Sequence, residues 1–434
     1  MGRPVSKLLI GAVRTLSTPE RQRRIYLDGA KGQRPTVPID HDKLEEAARR
    51  KVSTEAYAYI AGGAGRESTI GENRRALDRY KILPRMLRDV SDCDTSLNLF
   101  GNTLNSPIFT CPIGVLDLFH PEADLAVAKA ASATGVPMAF SNQASVSMEE
   151  CASAMGDGVR WFQLYWSKSD ELVASLVKRA EECGCRAIFV TLDTTMLGWR
   201  IRDLDLAYLP FLAGRGIAQY VSDPVFQELL KDPEPELEPP KITLTSLSNL
   251  YQMSKRYPGS TLENIKTRRA VDAVRKFIAI YSRASLSWEN LAFLREHTKL
   301  PIVLKGILAP DDALKALDHG VDGIYVSNHG GRQVDGAVGA LDALAEVARV
   351  VDSRVPVLFD SGVRGGADIF KALCLGAKAV GIGRPFAYAL AVGGERGVVE
   401  LLQNYQADLR LTMGLSGVRS LAELNQDCLL QKNS

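Results

Sequence analysis

From residue 108 onward, short apolar and β-branched runs recur along the chain: Ile108 to Pro112, Pro137 to Ser141, Trp161 to Tyr165, Ala187 to Asp193, Ile302 to Gly306, Gly323 to Ser327, Val355 to Asp360 and Ala379 to Gly383. They are apolar throughout rather than alternating, which predicts strands buried on both faces, as in a parallel sheet. Between most of them lie alanine-rich stretches with helical spacing, Ala123 to Thr134, Asp170 to Glu182, Asp311 to His319 and Ala340 to Val351 among them. Strand alternating with helix through eight units predicts an α/β fold, a closed (β/α)₈ TIM barrel. No Gly-x-Gly-x-x-Gly opens the first unit, which counts against an open dinucleotide-binding sheet.

The rhythm breaks between the fourth run and the fifth. Residues 205–285 form an insertion there, with a proline-acidic run from Lys231 to Pro240 whose composition predicts extended or disordered chain, followed by one helical stretch from Leu262 to Ile280. An insertion at that place predicts a lid over the barrel mouth. Residues 1–40 carry no barrel pattern and read as an arm that packs on a neighbouring subunit or stays mobile; 41–434 read as one domain.

Composition narrows the function classes. With 53 Lys and Arg against 51 Asp and Glu there is no broad cationic field for nucleic acid, and the local basic clusters, Arg14, Arg21, Arg23 and Arg24, then Arg49, Arg50 and Lys51, read as solvated helix faces. The one early apolar run, Leu8 to Val13, is too short to span a membrane and lacks a cleavage site, so neither a signal peptide nor a transmembrane segment is expected. Seven scattered cysteines make no disulfide framework and no zinc pattern, which suits a cytoplasmic protein. No spaced His and carboxylate cluster suggests a metal; His120 and His319 read as structural.

Three stretches carry chemistry. Ser327-Asn-His-Gly-Gly-Arg-Gln-Val-Asp335 follows the sixth run, so His329 and Arg332 lie at a strand's carboxyl end, where a barrel keeps its active site. An imidazole that titrates near neutrality and a guanidinium that grips carboxylates suit proton removal beside a bound acid. Lys305 ends the fifth run and points into the barrel mouth, where a buried ammonium needs an anionic partner: a bound group, or an acidic side chain of the mouth. Glycines after the seventh and eighth runs, Gly362 with Arg364 and Gly383 with Arg384, make a phosphate site at the start of two helices.

The stretch 327–335 closely resembles the signature of the FMN-dependent 2-hydroxy acid oxidases and dehydrogenases, and similarity extends over roughly residues 42–205 and 286–425. The resemblance implies FMN as cofactor and a small 2-hydroxy acid as substrate. It makes His329 the base and Asp193 the carboxylate that pairs with it, raising its proton affinity. Arg332, Arg200, Tyr59 and Tyr165 become substrate contacts, and Lys305 faces the flavin edge that gains charge on reduction. Gln163 becomes the amide against the pyrimidine, Asp360 a ribityl partner, and Gly362, Arg364, Gly383 and Arg384 the phosphate cradle. Pro112, Ser141, Thr191 and Ser327 complete the cofactor contacts it implies.

Gln143 stands where several relatives carry an apolar residue, which implies a more polar side-chain pocket, and residues 198–226 look most like the lactate 2-monooxygenase branch. The expected activity is oxidation of an (S)-2-hydroxy acid such as lactate, by hydride or carbanion, with oxygen, a quinone or a protein as electron acceptor. Oxygen would give either decarboxylation or free peroxide. A homotetramer or larger homo-oligomer is expected as well. Two rivals stand beside this reading: another FMN or phosphate-binding barrel, of the inosinate dehydrogenase or type 2 isopentenyl diphosphate isomerase kind, and a catalytically silent flavin-binding or regulatory protein. Neither explains why His329, Arg332 and Arg200 occur together.

Overall fold

The computed structural model describes residues 18–232, 234 and 243–431; the early apolar run, Arg14 and most of the proline-acidic run lie outside them. Eight parallel strands close into a barrel: β1 (Ile108–Thr110), β2 (Met138–Phe140), β3 (Arg160–Leu164), β4 (Ile188–Thr191), β5 (Ile302–Ile307), β6 (Gly323–Val326), β7 (Val357–Phe359) and β8 (Ala379–Ile382), each hydrogen-bonded to its neighbours in sequence, with β8 returning to β1. Each falls within or against one of the eight predicted runs. Every strand position but Arg160 and Gly306 is buried, as two covered faces require. Lys305 does not end its strand as expected, since β5 continues to Ile307 past a register shift at Gly306.

Inside the barrel, Phe109, Trp161, Phe189 and Tyr325 pack with centroids 5.1 to 6.2 Å apart, mostly edge to face, so the lower lumen is solid. A hairpin, Leu97–Leu99 with Asn102–Leu104, brings Phe100 under Trp161 at 5.9 Å and plugs the amino-terminal end. Only the carboxyl end is left open for ligands.

Helices surround the strands, and hydroxyl caps set their starts: Ser147 accepts from the Glu150 amide and Ser169 from the Leu172 amide. The last, Arg384–Leu415, is kinked at Gly394 and packs on Ala123–Thr134, His41–Arg49 and Thr18–Gly29. The helix Thr18–Gly29 lies in the segment read as an arm, and Arg21 bonds to Asn404 of the same chain at 2.8 Å. The basic clusters form local surface pairs, Arg24 with Asp28 at 3.0 Å and Arg49 and Arg50 with Glu46 at 2.9 Å. No helix among the described residues is long and apolar enough to cross a membrane.

The insertion is largely helical. The stretch predicted as one helix is two, Thr261–Thr267 and Arg269–Ile280, broken at Arg268, whose φ of 57° reverses the backbone. Glu234, inside the proline-acidic run, pairs with buried Lys276 at 2.8 Å. Asp223 anchors the insertion to the barrel: fully buried, it caps the helix Pro224–Leu229 through the Val225 and Phe226 amides and accepts from Arg179 at 2.9 Å and Ser175 at 2.9 Å on the helix Asp170–Glu182.

Asp223→Ala leaves the buried Arg179 guanidinium short of a partner and removes the cap, and is expected to cost about 3 kcal/mol or more in chemical denaturation. A loss below about 1 kcal/mol, the size of an ordinary hydrogen bond, would place the anchor elsewhere.

Candidate active site

The chain leaves β6 through a tight turn, His329–Gly331, in which His329 itself has a φ of 57°. A non-glycine residue in that region is held there by its surroundings. The His329 amide donates to Ser327 Oγ at 3.0 Å, and the Gly330 amide to Ser361 Oγ at 3.1 Å. Below the turn, Asn328 and Asn73 exchange two side-chain hydrogen bonds, 2.9 and 2.6 Å, joining it to the helix Ser68–Arg79. Outside it, Asp335 accepts from the Arg66 and Ser68 amides.

This scaffolding sets His329 Nδ1 2.7 Å from Asp193 Oδ1 at the end of β4. The contact assigns the proton to Nδ1 and leaves Nε2 as a free base toward the cavity. Gly306 is what lets Asp193 come so close: its φ is 106°, and a Cβ there would sit 2.9 Å from Asp193 Cβ. Burial pushes the Asp193 carboxyl up, but the charges of His329 and Lys305 outweigh it and hold the group well below the usual carboxylate range. For His329, other effects outweigh the carboxylate. Asp193 does raise its proton affinity, but burial and the nearby Lys305 lower it more, so the net shift is downward.

Around the base stand cations that have no carboxylate within ion-pair distance among the described residues. Arg200 is buried and donates to the carbonyl of Arg332 and to Gln333 Oε1. Arg332 donates to the carbonyls of Tyr59 and Gly62, and its guanidinium lies 4.9 Å from the Tyr59 ring centroid. Burial, aided by Arg200, pulls Arg332 down to about 9. Two guanidiniums bonded only to neutral oxygens are in deficit of negative charge, and an incoming carboxylate relieves it. Tyr165 closes this side; burial, then Asp193, pushes its phenol up to about 12, so it stays a hydrogen-bond donor.

The cavity continues over the barrel axis. Lys305 is buried and donates to Ser327 Oγ at 3.1 Å, between Asp193 Oδ2 at 3.8 Å and Asp360 Oδ2 at 3.9 Å. Of the two partners proposed from sequence, the acidic side chains of the mouth are present, and the ammonium also lines the cavity. Asp360 accepts from Tyr325 and Ser327 at 2.8 and 2.5 Å. Pro112, Gly362, Arg364, Gly383 and Arg384 line the cavity too, and a Cβ on Gly383 would meet nothing within 4 Å. Arg384 bonds there to the carbonyls of Ile60, Gly62 and Gly330. Ser141, Gln163, Thr191 and Ser327 are buried and are not among the residues lining the cavity, and among the described residues Gln163 Nε2 and Thr191 Oγ1 have no hydrogen-bond partner.

Residues 48–431 match the model of the FMN-dependent dehydrogenases. The chain belongs to that family. It is 43% identical to an FMN-dependent alpha-hydroxy acid dehydrogenase of Penicillium citrinum over 94% of each chain, and 39% identical to an L-lactate oxidase of Lysinibacillus sphaericus over 91% of this chain and 94% of that one. A solved mandelate oxidase structure superimposes with a TM-score of 0.72 at 36% identity, covering 91% of this chain and 99% of that one.

FMN is the cofactor of this oxidoreductase, and the cavity fits it. A flat polar ring supplies what Gln163 and Thr191 lack, Lys305 is a cation for its electron-rich edge, and the open glycine at Gly383 with Arg364 and Arg384 suits a phosphate. Several wall residues of the FMN-dependent dehydrogenase went unassigned in the sequence: Phe211 and Tyr281 from the insertion, and His41, Asn73 and Tyr388 near the phosphate end. The Asn328 and Gln333 contacts belong here too. Both lie in the quoted stretch, which was their only local signal. Among the described residues no group of three or more His, Cys, Asp or Glu stands ready for a metal.

Because His329 is shifted downward from its usual ~6.5, the neutral base predominates at pH 7 and above. The pH profile of kcat/KM is therefore expected to be flat above pH ~7, with an acid limb whose midpoint lies below ~6.5. The linked stability has the same sense, being present above the unfolded value of ~6.5 and lost as the pH falls from there through the lowered folded value. An acid limb centred above neutrality would contradict the assignment.

Proposed function

We propose that this FMN enzyme oxidises an (S)-2-hydroxy acid such as lactate to the 2-oxo acid. The observation that carries the reading is the His329–Asp193 pair at 2.7 Å opening on the same cavity as two guanidiniums without carboxylate partners. Arg332 and Arg200 grip the substrate carboxylate, with Tyr59 beside them, which fixes the α-carbon and hydroxyl near His329 Nε2. His329 takes a proton from the substrate, and Asp193, anionic throughout, stabilises the imidazolium that results. Tyr165 donates a hydrogen bond from the same side, and Lys305 presents its charge to the cavity. FMN, when bound, accepts the electron pair that leaves the substrate carbon. The relatives support the substrate class, being named for alpha-hydroxy acids, lactate, glycolate and 4-hydroxymandelate.

A finer reading, oxidation followed by oxygen-dependent decarboxylation, is favoured by the insertion. It sets Phe211 and Tyr281 in the cavity wall, and a lid that holds the 2-oxo acid lets peroxide attack it before escape.

Anaerobic bleaching of the yellow protein by lactate tests the activity, and His329→Gln is expected to slow bleaching ~10²- to 10⁴-fold with FMN retained. A yellow protein that no 2-hydroxy acid bleaches would instead be a flavin-binding protein. Product analysis under oxygen separates the finer readings. Acetate and carbon dioxide with little peroxide support decarboxylation, whereas stoichiometric peroxide and pyruvate make the protein a simple oxidase. Slow reaction with oxygen and fast reaction with quinones make it a dehydrogenase.

A further inference from the structure

Gln333 stands between the two loops that carry the chemistry, and both ends of its amide are engaged. Nε2 donates to the carbonyls of Asp193 at 2.8 Å and Met196 at 3.0 Å, and Oε1 accepts from Arg200 Nη2 at 2.9 Å. The orientation is unambiguous, because the flipped amide would set oxygen against two carbonyls and an NH₂ against a guanidinium. Arg200 in turn donates through Nε to the Arg332 carbonyl at 3.3 Å. Nε and Nη2 form one edge of the planar guanidinium. With that edge committed to the 332–333 backbone and amide, Nη1 and the second Nη2 proton are left as a terminal fork, the geometry that binds a carboxylate through two parallel bonds.

We propose that Gln333 is a positioning residue of the anion clamp: it sets the plane of Arg200 and pins the loop after β4 to the turn that holds His329. The inference rests on the reading of Arg200 as a substrate-carboxylate ligand. It explains why the position suits an amide. A carboxylate there would pair with Arg200 and cancel the charge meant for substrate, and would repel the two carbonyls that Nε2 now serves. An apolar side chain would leave those carbonyls and the guanidinium edge unpaired.

The test is a set of oxalate dissociation constants for the FMN-loaded protein, read from the perturbed flavin absorbance, in the wild type, Gln333→Met, Gln333→Glu, Arg200→Lys and the double variant Arg200→Lys/Gln333→Met. Gln333→Met is expected to weaken oxalate roughly 10- to 100-fold, as for loss of a hydrogen bond to a charged group. Gln333→Glu, nearly isosteric and still able to accept from Arg200, is expected to weaken it at least as much. The double variant should bind no more weakly than Arg200→Lys alone, since both changes act on one guanidinium. Lactate KM should rise more than kcat falls.

Wild-type oxalate affinity in Gln333→Met, or losses that add in the double variant, would overturn the inference while sparing the clamp. Wild-type affinity in Arg200→Lys would overturn the clamp and the inference together. Should Gln333→Met fail to retain FMN, Gln333→Glu carries the test, and wild-type oxalate affinity in that variant overturns the inference.

Discussion

An ammonium buried in a barrel lumen has to be neutralised where it stands, and Lys305 is neutralised by residues from three other strands. Asp193 follows β4, Ser327 follows β6 and Asp360 follows β7, and their side chains converge on Nζ within 3.1 to 3.9 Å. Losing water costs an isolated charge several kcal/mol, so the ammonium stands there only with carboxylates correctly placed beside it. That requirement propagates outward. Asp193, kept ionised by Lys305 and His329, holds the imidazole; Asp360, bonded to Ser327 and Tyr325, ties the top of the barrel to the aromatic packing below it.

The cavity is divided by charge. On the Lys305 side, the ammonium already has Asp193 at 3.8 Å and Asp360 at 3.9 Å. On the Arg200, Arg332 and Arg384 side, guanidiniums meet only carbonyl and amide oxygens, so positive potential is stored for ligands that arrive with negative charge. Burial first, and then the neighbouring Arg200, lowers the proton affinity of Arg332. His329 sits at the border between the two regions, close enough to Asp193 for support and buried enough to stay neutral.

The insertion is a second structure built on the first. Asp223 joins it to the barrel helix Asp170–Glu182, and Phe211, Phe277 and Tyr281 stack within it at 5.1 to 6.4 Å, so that Phe211 and Tyr281 reach the cavity as packed side chains.

The sequence by itself determined the barrel, because a strand covered on both faces must be apolar at every position, and eight such runs separated by helical spacing admit few closures. It also marked His329, Arg332, Lys305 and the glycines after β7 and β8, since chemistry at strand ends leaves a local trace. Tertiary structure alone decided the pairings. Asn73 with Asn328, Gln333 with Arg200 and Asp223 with Arg179 join residues 44 to 255 positions apart, and no local period encodes such a distance. The break at Arg268 escaped the helical pattern because one residue of positive φ leaves the apolar spacing on either side intact. The net proton affinity of His329 was out of reach for the same reason: Asp193 is legible as a neighbour, but desolvation, the larger effect, depends on what every other segment packs around the ring.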